Sequence, residues 1–229
     1  MAKTVQLMGV TLVLLPERAL FVPDMGLLVV ADWHLGKTAH FRKAGIFLPV
    51  APVERDVARL QDLLARLPVR TLIFLGDLFH SDLNSEWRFF ADFRRTYPGI
   101  PMVLTRGNHD LLSEELFARL DVAVVDRYEA RPDLVFMHHP DAVPVGKASD
   151  NRLVVAGHVH PGCLIPANGR QAYRFPCFYF HRNTLLLPAF GRLTGMQLVQ
   201  PTRSARIYPV AGDEVLEWSS GSTPASRLR

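Results

Sequence analysis

Cysteine is scarce. Only Cys163 and Cys177 occur in 229 residues, and they do not stand in Cys-x-x-Cys spacing. That excludes a disulfide-framed small domain and a thiolate metal site, and leaves the pair reading as two small buried hydrophobes. No run of ~18 uninterrupted apolar residues exists, the length a membrane helix needs. The opening Met1-Ala-Lys-Thr-Val has one lysine, no long apolar region and no small-residue cleavage site, so no secretory signal is expected and the cytoplasm is the expected location. Internal repeats and linker-like stretches are also lacking. The chain therefore reads as one domain over residues 1–218, followed by a polar tail, 219–229, too poor in apolar residues to join a core and expected to be disordered.

Lysine is nearly absent as well. Of 26 basic residues four are Lys (Lys3, Lys37, Lys43 and Lys147), which leaves 22 Arg, and the net charge is +4. Arginine suits bidentate phosphate contacts, and a modest positive balance permits a phosphate-bearing or nucleic-acid partner without requiring one.

Strand and helix signals are plentiful, with 48% of residues hydrophobic. Thr11–Leu15, Leu20–Val22 and the wholly apolar Gly26–Ala31 read as strands. Val53 to Leu67 has apolar residues at helical spacing between Pro52 and Pro68, which fit its boundaries. Thr71–Leu75 is a short apolar run that stops at Gly76-Asp77, the pattern of a buried parallel strand. Ser85–Tyr97 reads as an amphipathic helix, Pro101–Thr105 as a strand and Ser113–Leu120 as a short helix. Val122–Val125, Leu134–Met137 and Leu153–Ala156 are strands. After Pro161 helical spacing disappears, and Tyr173–Phe180, Thr184–Leu187, Ala205–Tyr208 and Glu214–Trp218 read as strands. Strand–helix alternation followed by strands implies an α/β domain with two packed sheets.

The polar residues of interest fall where these strands stop. Asp32 and His34, Asp77, Asn108 and His109, His138 or His139, and His158 with His160 each follow an apolar run, usually beside a glycine. Ligands collect outside the carboxyl ends of strands in α/β sheets. Each residue alone has an ordinary explanation: Asp77 as a helix cap, Gly107-Asn108 as a turn, a lone histidine as a surface residue. If the strand continues, His158 and His160 share a face. Five such ends, expected at one edge of one sheet, form a set of nitrogen and oxygen donors without thiolate, suited to Mn, Fe or Zn. The set is too large for one ion, and a carboxylate can bridge two, as in clamps for phosphoryl transfer.

The order Asp-x-His, Gly-Asp, Gly-Asn-His-Asp, His, Gly-His-x-His resembles the calcineurin-like metallophosphoesterase superfamily. The surrounding Asp32-Trp-His-Leu-Gly-Lys37, His40-Phe-Arg42, Gly45, Pro49, Gly76-Asp-Leu-Phe-His80, Arg106-Gly-Asn-His-Asp110, Gly157-His-Val-His-Pro161 and Leu187-Pro-Ala-Phe-Gly191 are similar, in particular, to the bacterial DNA ligase-associated metallophosphoesterases. Trp33 departs from them, since leucine is commoner there. The resemblance implies a four-layer αββα sandwich and two divalent ions, manganese foremost. It implies that Asp32, His34, Asp77 and His160 hold one ion, that Asp77 bridges, and that Asn108, His138 and His158 complete the other. His138 is preferred to His139 on the same ground. The resemblance also implies a DNA-repair setting beside a DNA ligase, a helicase and an exonuclease-like protein.

The expected activity is hydrolysis of phosphodiester bonds, of nucleotides, DNA or RNA, by a water acidified between the ions. His109 is expected to donate a proton to the leaving oxygen and Asp110 to orient it. Arg106, His80, Lys37 and Arg42, with His40, are candidate phosphate contacts. Two other readings compete: a small-molecule phosphomonoesterase or nucleotide pyrophosphatase, and a non-catalytic partner-binding module, which the filled ligand positions disfavour. No insertion of lid size stands between the motifs, which disfavours a lipid-linked substrate.

Overall fold

The structure, a computed structural model, describes residues 1–36, 51–79, 85–140, 151–166 and 171–218. The expected tail 219–229 lies outside them. In chain order come β1 (Lys3–Leu7), β2 (Val10–Leu15), β3 (Ala19–Val22) and β4 (Leu27–Ala31), then α1 (Ala51–Arg66), β5 (Thr71–Leu75), α2 (Ser85–Thr96), β6 (Met102–Thr105), α3 (Glu114–Arg119) and β7 (Val122–Val125). There follow β8 (Arg127–Arg131), β9 (Leu134–Met137), β10 (Leu153–Ala156), β11 (Pro161–Pro166), β12 (Ala172–His181), β13 (Thr184–Leu186), β14 (Gln197–Leu198), β15 (Arg206–Ala211) and β16 (Glu214–Val215).

The first sheet runs β1 to β7 in sequence order. It is antiparallel from β1 to β4 and parallel from β4 to β7. The second has the order β14-β11-β12-β13-β10-β9-β8, with β15 pairing β12 and carrying β16. Its β9, β10 and β13 are parallel. The α/β class and the two mixed sheets are as expected.

Period-two alternation makes two cores from the first sheet. In β4, Leu28 and Val30 face the helices with Phe74, Leu60, Leu63, Phe90, Phe93 and Phe117. Leu27, Val29 and Ala31 face the second sheet, packing with Phe136, Val155, Phe178 and Tyr208. The other face of the second sheet carries buried Val135, Met137 and Val154, and is thus a covered face in its own right.

Among the described residues four strands were not legible, the two-residue β14 (Gln197–Leu198) being one of them. β8, Arg-Tyr-Glu-Ala-Arg, is half polar because, among the described residues, it pairs only with β9 and turns Tyr128 and Ala130 alone toward the core. β11 holds prolines at both ends, the places a strand tolerates them. β1 pairs only with β2. No helix among the described residues is long and apolar enough to cross a membrane.

One buried cation closes the helical layer. Arg94, near the end of α2, donates from Nε to the Leu120 carbonyl (2.8 Å) and from Nη1 to the Tyr97 carbonyl (2.6 Å). Its Nη2 reaches Asp121 Oδ2 at 2.8 Å. The guanidinium thus satisfies carbonyls left open at two helix ends. Arg94→Ala is expected to cost roughly 2 kcal/mol, because half-buried carbonyls lose a buried charged donor. Urea unfolding would check it, and a loss below about 0.5 kcal/mol, the size of an ordinary surface change, would refute it.

Candidate metal centre

The five strand ends do not lie on one sheet. β4, β5 and β6 of the first sheet bring Asp32, His34, Asp77, Asn108 and His109, while β9 and β10 of the second bring His138, His158 and His160. Because the sheets stack on a shared core, the carboxyl ends of both parallel ladders open at the same rim. After β4 the chain keeps its ladder with β5 in irregular form. Asp32 N–H donates to the Gly76 carbonyl (3.2 Å), His34 N–H to Asp77 (2.9 Å) and Leu35 N–H to Leu78 (2.8 Å).

Nine non-glycine residues among those described have positive φ, and five belong to this rim: Asp32 (53°), His34 (54°), Asp77 (47°), His158 (66°) and His160 (51°). Such conformations are uncommon outside glycine and cluster where surrounding structure enforces them at functional sites. They also correct the expectation for His158 and His160. β10 ends at Ala156, so these two side chains do not share a strand face; left-handed bends send them to two different groups.

The first group is Asp32, His34 and His160, the second Asp77, His138 and His158, with donor atoms in each within 4.8 Å of one another. In the first, His34 Nε2 and His160 Nε2 are 3.4 Å apart and His160 Nε2 is 3.2 Å from Asp32 Oδ1. In the second, His158 Nδ1 and His138 Nε2 are 3.2 Å apart, and Asn108 Oδ1 is 3.1 Å from each. Donors that share one ion at about 2.0–2.2 Å stand about 3.0–3.5 Å from each other, so the spacing fits one ion per group. Asp77 faces both: Oδ2 is 3.7 Å from His34 Nε2 and Oδ1 is 3.5 Å from His138 Nε2.

Hydrogen bonds aim these donors. Leu75 carbonyl stands 3.1 Å from His138 Nδ1 and accepts its N–H, which leaves Nε2 bare toward the centre. Asp32 accepts the His158 backbone N–H on both oxygens (3.1 and 3.0 Å). Burial, and then the neighbouring His138 and His139, hold the His158 pKa below its ordinary value and so keep it in the neutral form that binds a metal. His138 is buried inside the second group. His139 is exposed, with its ring 4.3 Å from the His158 ring, on the outer side of the centre.

Asp110 holds more than a neighbouring histidine. Its Oδ1 accepts the N–H groups of Leu78 (2.9 Å) and Phe79 (3.2 Å), and its Oδ2 that of Gly107 (2.9 Å). It staples the turn after β6 to the turn after β5. Burial pushes its pKa up, against the pull of the Gly107 and Phe79 amides. His109, half-buried, donates its backbone N–H to Asp77 Oδ1 (2.9 Å) and has its ring 5.6 Å from that of His34. Arg106 is exposed and paired with Glu114. Lys37, His40, Arg42 and His80 lie outside the described residues.

Glycines beside the ligands were visible in the sequence, but their task was not. A methyl on Gly76 would stand under 3.0 Å from the His138 ring, one on Gly107 under 3.0 Å from Asp77 N and Oδ1, and one on Gly157 2.7 Å from Asp32 Oδ2. Each leaves room for a ligand delivered by another strand.

The family model described as calcineurin-like phosphoesterase matches residues 25–136. The crystal structure of Pseudomonas putida nuclease MPE is similar with a TM-score of 0.78 and 31% identity, over 95% of this chain and 100% of that one. A protein of unknown function from Aquifex aeolicus aligns over 63% of this chain and 82% of its own, with 19% identity and a TM-score of 0.40. No curated protein sequence matches.

Proposed function

The chain belongs to the calcineurin-like phosphoesterase family and is a metal-dependent phosphoesterase, and on that footing we propose that it hydrolyses phosphodiester bonds of nucleic acid. The observation that carries this reading is the pair of donor groups meeting at Asp77. The nuclease title of a relative that aligns over nearly the whole chain supports nucleic acid as the substrate. Asp32, His34, Asp77 and His160 would hold one ion, and Asp77, Asn108, His138 and His158 the other. A donor set without thiolate suits manganese, with iron or zinc as the alternatives. When bound, two such ions acidify a water and offset charge on the phosphoryl oxygens.

The chain's own residues do the rest. Asp77 fixes the spacing of the two groups and, through its bond to the His109 amide, the position of the histidine that follows Asn108. The His109 imidazole gives its proton to the leaving oxygen. Asp110 keeps both turns at one separation. The Arg106–Glu114 pair stands at the edge, where a substrate phosphate would compete with Glu114 for the guanidinium. The likeness of the motifs around the centre to the ligase-associated proteins supports a role in DNA repair alongside a DNA ligase, a helicase and an exonuclease-like protein.

The deciding experiment compares a chromogenic phosphodiester with its monoester on metal-stripped protein, with Mn, Fe, Zn, Mg or Ca restored one at a time. Turnover of the diester that needs metal supports the reading. Monoester turnover alone would overturn it in favour of small phosphates. His109→Ala is expected to slow a diester with a poor leaving group roughly 100-fold or more, within the range for general acids, and one with a good leaving group far less. An equal loss on both would remove His109 from the acid role.

A further inference from the structure

Away from the rim, α1 carries a carboxylate that nothing in the reaction uses. Asp56 is 4% exposed. Its Oδ2 accepts the backbone N–H of Arg192 at 3.1 Å, and its Oδ1 pairs with Arg59 Nη2 at 3.0 Å. Arg192 Nε stands 3.7 Å from the same Oδ1. Arg59 is largely enclosed, with its side chain 11% exposed. It donates from Nη2 to the Phe190 carbonyl and lays its guanidinium 4.0 Å from the centroid of the Phe190 ring. Burial lowers the Arg59 pKa to about 10 and raises that of Asp56, so each charge stands on the other.

What these two residues hold is the segment Leu187–Arg192, which crosses from the second sheet to the first. Leu187 N–H donates to Ala156 (2.8 Å) at the end of β10. Phe190 N–H donates to Ala31 (2.7 Å) and Gly191 N–H to Asp32 (3.3 Å) at the end of β4. The Phe190 ring meets Trp33 edge-on with centroids 5.4 Å apart. Gly191 approaches so closely that a methyl there would fall under 3.0 Å from the Trp33 carbonyl. From Asp56 to the backbone of Asp32 the path is therefore Asp56, Arg192 N–H, Gly191 N–H, Asp32 carbonyl. The other group has supports of its own in Asp110 and the Leu75 carbonyl, and shares one with the first group, the His158 N–H held by Asp32.

We propose that Asp56, acting with Arg59, is a positioning residue for one half of the metal centre: it presses the Leu187–Arg192 segment onto Asp32-Trp33-His34 and so sets where Asp32 and His34 stand, leaving the Asp77, His138, His158 half chiefly to other supports. The inference rests on the reading of Asp32, His34 and His160 as the ligands of one ion.

The test is calorimetric titration of the metal-stripped full chain with Mn, which reads each ion without turnover. Wild type takes up two ions per chain. Asp56→Asn, which keeps an acceptor for Arg192 N–H and removes the charge opposite Arg59, weakens one ion roughly tenfold, the lower end for loss of a ligand's outer partner, and the other by no more than about threefold, since only the Asp32 hold on the His158 N–H links them. Arg59→Lys keeps the charge but loses the planar fork, and shows the same one-sided pattern if Asp56→Asn folds poorly. Arg94→Ala, destabilised at a site far from the rim, binds both ions as wild type does. Two ions in wild type with both unchanged, or both weakened alike, in Asp56→Asn and Arg59→Lys would overturn the proposal alone. Fewer than two ions in wild type would overturn the reading of the centre, and the proposal with it.

Discussion

Asp77→Ala is expected to reduce metal-dependent diester hydrolysis by at least about a thousandfold and to abolish tight uptake of both ions. The expectation exceeds the roughly 10–100-fold that losing an outer partner of a ligand costs, because three supports go together. The first group loses Oδ2, 3.7 Å from His34 Nε2, and the second loses Oδ1, 3.5 Å from His138 Nε2. The His109 amide loses its acceptor, so the histidine proposed as proton donor loses its anchor too. A thousandfold is about 4 kcal/mol of transition-state stabilisation, more than one hydrogen bond supplies. Stability is expected to move little or upward without metal, since Asp77 is a 2% exposed carboxylate with buried Asp32 on one side and Asp110 on the other and functional sites commonly trade stability for activity. Initial rates together with metal content per chain check both parts. Activity within tenfold of wild type, or two ions still bound tightly, would remove Asp77 from the bridging position.

Gly107→Ala is expected to damage the site less than Asp77→Ala does and the fold far more. Its φ is not left-handed, so the cost is steric and not conformational. The added methyl would lie under 3.0 Å from Asp77 N and Asp77 Oδ1, and 3.0 Å from Asp110 Oδ2. None of these is the loose end of a flexible side chain. One is backbone, and the two carboxylates are held by the amides of His109 and Gly107. The turn must move, and Asn108 and His109 move with it. A loss of about 3 kcal/mol, the upper end of ordinary overpacking, is expected, with activity down by about a hundredfold or more, since small displacements of reacting groups cost that much. Gly99→Ala and Gly195→Ala are internal controls, with nothing within 4 Å of the added carbon. Chemical denaturation and initial rates on the three variants separate the cases. A Gly107→Ala protein as stable and active as Gly99→Ala would show that the two turns do not need their close approach.

Much of this was legible from the sequence because two kinds of signal are local. The helical spacing of Val53, Leu60, Leu63 and Leu64 and the apolar runs of β4, β5, β6, β9 and β10 state which faces are buried. Each run ends at a residue whose type suits a metal. What was not legible depends on partners distant in the chain. The three-to-two division of strand ends between sheets follows from stacking, which no run of residues encodes. Asp110 looks like a helix cap or a partner of His109, and only the fold brings Leu78 and Phe79 to it across 31 and 32 positions. Asp56 and Arg59 look like an ordinary helical charge pair; their burial comes from a segment 131–136 residues later. Arg106 reads as a free cation until Glu114 closes on it.

Neither donor group belongs to one sheet. Asp32 and His34 meet His160 across the gap, and Asp77 meets His138 and His158. Each ion would therefore act as a rivet through both layers of the sandwich. Holding the rivets adds to the grip of the shared core only at the catalytic rim, so that rim is where the two sheets part first once chelators draw the ions away. Away from the rim the sheets are joined by the hydrophobic seam and by polar links such as Lys3–Glu217, which gain nothing from metal. Chelation thus changes how the protein breathes as well as what it cleaves, and amide exchange at the ends of β4 and β10 carries the mark of the ions even when no substrate is present.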